Sequence, residues 1–286
     1  MHYLLLGPMS VVRDDQLVGL GGLRQRGVLA ALLLAGGRTI DTDALVDMVW
    51  GDTPPPKPIA SLRAYIANLR RILSGDRLVT DHNGYRLNLG SDLVDICEFE
   101  SLVCDGRRLL AAGDDVAAAR VLECSLRLWR GTPLADFRDQ PFVHHEVHRL
   151  QALRVDALEA RFDAQLGMGR NWELIAPLES EVAAHPLREK LWAQLMLAMY
   201  RAGRRGDALQ AYRRAQALLD AELGVEPGAE LQRIAAAIRD EATELHWRRT
   251  GSAVSSPSAR PSHVAGRSRE VWRVHSALRA AGRGGR

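Results

Sequence analysis

Residues 57–89 read KPIASLRAYIANLRRILSGDRLVTDHNGYRLNL, and this stretch decides the fold. Between residues 57 and 74, Leu62, Tyr65, Ile66, Leu69 and Leu73 recur at helical spacing and predict a helix with one buried stripe. At 100° per residue, Lys57, Ala60, Ala64, Asn68 and Arg71 lie opposite that stripe, with Arg63 and Arg70 on one flank. No acidic residue interrupts the segment. A ridge of small residues lets a helix approach another surface closely, and flanking arginines without counter-charge suit the phosphate-lined major groove of DNA. A solvated helix face is the plainer alternative. Residues 78–80 and 85–89 then flank His82-Asn83-Gly84, and Asn-Gly between alternating apolar residues predicts a hairpin turning on that pair. A hairpin directly behind a basic third helix makes a wing.

Upstream, residues 3–6, 9–13 and 16–20 are short apolar runs separated by Gly7-Pro8 and Asp14-Asp15, which predicts a small antiparallel sheet. Residues 24–35 are apolar nearly all round and imply a deeply buried helix, closed by the left-handed conformation open to Gly36-Gly37. Asp41 caps a second helix that ends at Trp50-Gly51. Sheet, three helices and hairpin, in that order, form the winged-helix arrangement, in which the third helix reads bases while the hairpin tip and the first helix hold phosphates. Lys57, Ser61, Arg63, Ala64 and Asn68 are the candidates for base or near-base contact. Arg70, Arg71, Arg24, Arg26, Asn83 and Arg86 are the phosphate candidates.

The whole chain has 286 residues, 47% hydrophobic and 26% charged, which fits a soluble protein of about two domains and excludes disorder as the default. No apolar run approaches the roughly 20 residues of a membrane span, and MHYLLLGPMS lacks the basic start of an export signal. A cytoplasmic protein without a membrane partner is expected. Cys97, Cys104 and Cys124 form no Cys-x-x-Cys pair, so neither a disulfide framework nor a thiolate zinc site is signalled, and they are expected to be small core residues. Lys57 and Lys190 are the only lysines, a bias toward arginine that warns against reading function into every guanidinium.

The net charge of +3 hides an uneven distribution. Ten basic against eight acidic residues give +2 over 1–90, 19 against 26 give −7 over 91–245, and nine against one give +8 over 246–286. Composition changes at the same places, and three parts are expected: a winged-helix DNA-binding domain at 1–92, an all-α domain at 97–245, and a basic tail at 246–286. TGSAVSSPSARPS at 250–262 has the composition of a flexible linker.

Residues 97–245 divide into helical hairpins: 99–112 with 116–129, 146–166 with 172–184, and 187–202 with 207–223. Trp192, Leu195, Ala208, Tyr212 and Ala215 fall at the spacing of a tetratricopeptide unit, although no strict 34-residue period repeats along the chain. The predicted architecture is therefore multidomain: an α+β winged helix-turn-helix followed by an irregular, tetratricopeptide-like helical stack with a surface for protein partners. Trp129, Trp192 and Tyr212 are expected to pack in its core.

Four segments in order, GGLRQRGVLAALLLAGG, LVDMVWGDTPP, SLRAYIANLRRIL and LVTDHNGYRLNL, resemble the Streptomyces antibiotic regulatory protein family. LWRGTPL, HPLREKLWAQLMLAMYRAGRRGDALQAYRRA and LGVEPGAEL resemble the bacterial transcriptional activator domain of the same family, so the resemblance covers residues 1 to 245. It implies an activator that binds direct repeats of double-stranded DNA near a promoter and controls antibiotic or other secondary-metabolite genes. It also implies self-association, at least on DNA, and contact with RNA polymerase holoenzyme including its sigma factor. HVAGRSREVWRVHSALRAAGRGGR at 263–286 resembles the lead-in to the nucleotide-binding module of large members. Either the protein is short and keeps a relic, or this is the N-terminal part of a large member ending before that module. By charge alone, the tail adds nonspecific DNA affinity or is simply solvated.

Catalytic motifs are lacking. No Gly-x-x-x-x-Gly-Lys-Ser/Thr or Gly-x-Ser-x-Gly occurs, so neither an enzyme nor a cofactor is expected. His144 and His148 stand at i and i+4 with His145 between them, but Arg149 occupies the place a His-Glu-x-x-His motif needs for its second histidine, and no metal site is assigned. Two rivals remain at this level: a helical interaction scaffold without DNA binding, favoured by the low net charge of residues 1–90, and a metal protein built on the histidine cluster.

Overall fold

The computed structural model describes residues 1–73, 75–242 and 245; the linker and basic tail expected at 246–286 lie outside the described residues. The described residues are mostly helical, with strands confined to residues 2–94. Strands β1 (His2–Leu4), β2 (Ser10–Arg13) and β3 (Gln16–Leu17) run antiparallel. Asp14 and Asp15 turn the β2–β3 corner at positive φ, a conformation that short carboxylate side chains tolerate. These strands are shorter than their apolar runs, because the Leu5 and Leu6 N–H groups leave the ladder and donate to the Asp95 carboxylate at 2.8 and 2.9 Å.

The expectation of a purely antiparallel sheet needs correction. Strand β7 (Leu93–Val94) pairs parallel to β1, giving the order β3-β2-β1-β7. Helix α1 (Leu23–Leu34) is buried from Val28 through Leu33, as its all-round apolar sequence requires. Gly36 and Gly37 follow at φ 59° and 84°. Helix α2 (Thr42–Trp50) is capped by the Asp41 carboxylate, which accepts from Asp43 N–H at 2.9 Å.

Helix α3 (Pro58–Leu73) opens with a proline at the first helical position, where a missing N–H costs nothing. It buries Leu62, Ile66, Leu69 and Leu73, each contributing about 1.5–3 kcal/mol of apolar transfer. Half-buried Tyr65 stacks on Trp50 at 5.9 Å. A 3-10 turn at Gly75–Arg77 leads into a second sheet of order β4-β6-β5, made of β4 (Ile40–Asp41), β5 (Leu78–Asp81) and β6 (Gly84–Leu87).

The hairpin turns one residue earlier than Asn-Gly suggests. Its two-residue loop is His82-Asn83, with His82 at φ 49°. Gly84 is already in the strand, pairing with both Asp81 and Asp41. A Cβ there would fall within 2.8 Å of the Ile40 carbonyl carbon, so glycine is required by the close passage of β4, not by the turn.

The remaining helices are α4 (Asp95–Ala111), α5 (Asp115–Arg127), α6 (Pro141–Gly167), α7 (Asn171–Ala184), α8 (Glu189–Arg201), α9 (Arg205–Leu223) and α10 (Ala229–Arg239). Two of these depart from expectation: α6 starts earlier than residue 146, and α10 begins within LGVEPGAEL as an additional helix. Gly113, Gly169 and Gly203 close the turns at φ 77°, 79° and 81°.

Two compact units divide the chain otherwise than 1–92 and 97–245. One holds Met1–Ser101 and Cys124–Arg154, the other Leu102–Glu123 and the described residues from Val155 onward. In the first, the segment between α5 and α6 joins the N-terminal sheet. Arg130 and Leu134 N–H donate to the Leu6 and Leu5 carbonyls at 2.7 and 2.8 Å, and Met9 N–H donates to Asp136 at 2.6 Å. These long-range bonds involve residues that no local pattern singles out.

In the second unit α7, α8, α9 and α10 pack on one another, with Leu195, Ala208, Ala211 and Ala215 fully buried where helices cross. Trp192 is buried as expected and donates its indole N–H to the Pro186 carbonyl at 2.8 Å. Trp129 and Tyr212 are only half-buried. The cysteines are not core residues: Cys97 and Cys104 are exposed and Cys124 is half-buried, since each falls on the outer side of an amphipathic helix.

Candidate nucleic-acid interface

Helix α3 presents one face to solvent and the other to the core. Lys57, Ala60, Arg63, Ala64, Asn68 and Arg71 are exposed, and Ser61 is half-buried at the edge of the stripe. Ala67, not singled out from the sequence, also lies on the exposed side. Among the described residues no ion pair engages Lys57, Arg63 or Arg71, and Arg71 donates to the Asn68 side-chain oxygen at 3.3 Å. No acidic side chain among the described residues pairs with the positive charge of Lys57, Arg63 or Arg71.

Arg70 behaves differently. Its Nε donates to the Leu78 carbonyl at 2.9 Å and its Nη2 to Thr80 Oγ1 at 2.6 Å, so the guanidinium braces α3 against strand β5. The hairpin tip is pinned from the other side, where the Asn83 carbonyl accepts from Thr42 N–H at 3.0 Å and from the Thr42 hydroxyl. Between these supports lies a groove of about 580 Å³ lined by Arg63, Arg70, Asn83, Thr80, Asp41 and Asp43, among others. The two aspartates set a limit on where a phosphate can sit, and Thr80 and Thr42 are participants that no sequence signal announces.

Arg86 lies 3.8 Å from Asp81, which also accepts the Thr39 hydroxyl at 2.8 Å, so its charge is partly shared. Arg24 and Arg26 are not among the groove's lining residues. Arg24 donates to the Val49 carbonyl and to Gln140 Oε1, the latter at 3.4 Å. Arg26 pairs with Asp136 at 2.5 Å, and its guanidinium stands 5.9 Å over the Phe137 ring. Both work as ties to the segment between α5 and α6.

The C-terminal end of α3 is fixed by Arg77, which donates Nη1 to the Leu73 carbonyl at 3.1 Å and Nε and Nη2 to Asp92 at 2.5 and 3.0 Å. Burial pushes the Asp92 carboxyl up, but the hydrogen bonds and charges of Arg77 and the Met1 ammonium outweigh it and hold the group below the usual carboxylate range. Asp95 sits beside it in sequence with the opposite balance. Burial lifts its carboxyl to about 6 against the Leu6, Leu5 and Ile96 amides and Arg130. Among the described residues no three His, Cys, Asp or Glu side chains converge as metal ligands, and His144 Nε2 lies 2.9 Å from the Arg138 carbonyl.

A small α+β part with an exposed basic helix face is thus followed along the chain by packed helices. Residues 94–239 match the bacterial transcriptional activator domain. Regulatory protein DnrI of Streptomyces peucetius is 35% identical over 250 residues, spanning 83% of this chain and 92% of DnrI. Regulatory protein AfsR of Streptomyces griseus is 37% identical over 231 residues, spanning 81% of this chain but only 24% of AfsR. The solved structure of Mycobacterium tuberculosis EmbR in complex with a low affinity phosphopeptide superposes with a TM-score of 0.80 at 36% identity, covering 84% of this chain and 65% of that one. The chain belongs to the Streptomyces antibiotic regulatory protein family of transcriptional activators, which are regulators and not enzymes. It spans about a quarter of the length of AfsR.

Proposed function

We propose that the first part of the chain is a winged helix that binds direct repeats of double-stranded DNA near promoters, with α3 as the recognition helix in the major groove and the β5–β6 hairpin as the wing. The observation that carries this reading is the exposed face of α3, which holds Lys57, Arg63 and Arg71 around small residues with no acidic side chain on the helix. Lys57, Ser61, Arg63, Ala64 and Asn68 read or border bases, and Arg71, Asn83 and Arg86 hold phosphate. Arg70 has its Nη1 left for phosphate while its other nitrogens brace the wing. Arg24 and Arg26, at the start of α1, are the further phosphate candidates, with their bonds to Val49, Gln140 and Asp136 competing for that role.

The helical domain, tetratricopeptide-like in its α8–α9 pair, brings protomers together on DNA and recruits RNA polymerase holoenzyme with its sigma factor. The genes controlled belong to antibiotic or related secondary metabolism, and the protein acts in the cytoplasm. Support comes from family membership and from DnrI, AfsR and EmbR, each named as a regulatory protein. Among the described residues no helix is long and apolar enough to cross a membrane.

Fluorescence anisotropy of the full chain on the upstream DNA of neighbouring genes, with excess random duplex and a salt titration, tests the proposal. Salt-sensitive binding that survives the competitor is expected. Absence of binding at low salt favours the alternative of a protein-docking scaffold, for which Asp41 and Asp43 in the groove and the net charge of only +2 over residues 1–90 speak.

A further inference from the structure

The helical unit carries a groove of about 450 Å³ between the C-terminal half of α6 and the first turns of α8 and α10. Leu166, Ala193, Leu231 and Ile234 form its apolar floor. Glu189 and Glu230 stand at its rim. Lys190 pairs with Asp163 at 2.8 Å and Glu230 with Arg233 at 3.0 Å, while the lining acids Asp163, Glu189 and Glu230 outnumber the lining base Lys190, so the lining carries net negative charge centred on Glu189. Glu189 also accepts the Gly228 N–H at 2.6 Å, which anchors the start of α10 beside the rim.

The path of the chain leads to the same place. Arg201 donates Nε to the carbonyl of Leu245, the last described residue, at 2.7 Å, and its Nη1 donates to the carbonyl of Leu166, a floor residue, at 3.3 Å. One guanidinium thus holds the exit of the chain beside the groove. Beyond Leu245 come 41 residues with nine arginines and one acid, and within them Val271, Trp272, Val274 and Leu278 gather large apolar side chains in an otherwise polar segment.

We propose that residues 267–281, RSREVWRVHSALRAA, dock in this groove of their own chain. Val271, Val274 and Leu278 stand at the i, i+3, i+7 spacing by which an amphipathic segment fills an apolar groove, with Trp272 flanking them and Arg267, Arg269, Arg273 and Arg279 supplying the charge that meets the rim. Reach is not limiting, because the 21 intervening residues span up to about 70 Å when extended. Tethering raises the local concentration of the segment to the order of millimolar, so even a weak groove fills. A cavity of this size takes the side chains of one such face and not a folded partner. Docking keeps the basic tail on the acidic helical unit, and it stands or falls independently of how α3 meets DNA.

The test is site-specific photocrosslinking of the full chain with p-benzoylphenylalanine in place of Trp272, followed by peptide mapping. Adducts within one chain on residues 189–197 or 229–234 are expected, and their yield should fall several-fold with the exposed rim change Glu230→Arg. Adducts confined to other regions, adducts formed only between two chains, or a yield indifferent to Glu230→Arg would overturn the proposal. A second readout does not depend on the photoreactive group. Trp272→Ala with Leu278→Ala should speed hydrogen exchange at the start of α10, and unchanged exchange there contradicts docking.

Discussion

Arg70 on α3 and Thr80 on β5 are joined by a 2.6 Å hydrogen bond, and a second bond runs from Arg70 to the Leu78 carbonyl at 2.9 Å. A phosphate ligand works through charge, whereas a brace works through position, and the two are separable. Thr80→Val removes one brace without altering any charge. It should weaken DNA binding by about 0.5–1.5 kcal/mol while leaving the slope of log K against log salt unchanged in an anisotropy titration. A reduced slope would mean that Thr80 organises a phosphate contact directly.

Among the described residues Arg71 has no carboxylate partner, and it stands on the exposed face. Arg71→Ala should lower affinity for promoter and random duplex alike and reduce the salt slope by about 0.9, the signature of one lost phosphate contact. Loss confined to the promoter site would move Arg71 to the base-reading group.

The two neighbouring carboxylates, Asp92 and Asp95, predict opposite pH behaviour. Asp92 is held below the usual range, so its stabilisation is fully present above the unfolded value near 4 and disappears as pH falls through its folded value. The cost of Asp92→Asn in urea denaturation should be about 1–3 kcal/mol at pH 7 and vanish in strong acid, Arg77 being one-third exposed and its pairing discounted accordingly. Asp95, lifted to about 6, binds a proton more tightly when folded, so its contribution to stability declines as pH rises from about 4 to 6. The stability of Asp95→Asn relative to the unaltered chain should therefore rise over that window, and a flat difference would contradict the assignment.

Gly84→Ala places a methyl against the Ile40 carbonyl, where backbone cannot yield. We expect a cost at the upper end of the roughly 1–3 kcal/mol of overpacking, together with weaker DNA binding as the hairpin separates from β4. Wild-type thermal stability in this variant would show that β4 is not a fixed part of the hairpin sheet.

Elements with a long apolar period were legible in the sequence: the all-round burial of α1, the stripe of α3, and the succession of helices from α4 to α9, with α8 packed on α9. What stayed hidden has identifiable causes. Strands β4 and β7 have two residues each, too few for any alternation to register. The hairpin loop shifted by one residue because Gly84 answers to the passing Ile40 backbone, a tertiary demand that imitates turn chemistry. Leu5, Leu6 and Met9 are joined to Asp95, Arg130, Leu134 and Asp136 across separations of 89 residues and more, where local pattern carries no information. Within the candidate site, the exposed face of α3 was readable from the helical wheel. The diversion of Arg24, Arg26 and part of Arg70 into internal bonds was not, since a guanidinium in sequence does not reveal its acceptor.

If α3 reads bases, Arg63 is the residue placed to do so most directly: exposed, unpaired among the described residues, and lining the groove beside the hairpin. The decisive measurement is the ratio of affinities for promoter repeat and random duplex at one fixed salt concentration, compared between the full chain and its Arg63→Ala variant. Base reading by Arg63 predicts a loss of about 1–3 kcal/mol on the repeat with a much smaller loss on random DNA, so that the ratio collapses. An equal loss on both, leaving the ratio unchanged, would contradict base reading by this residue.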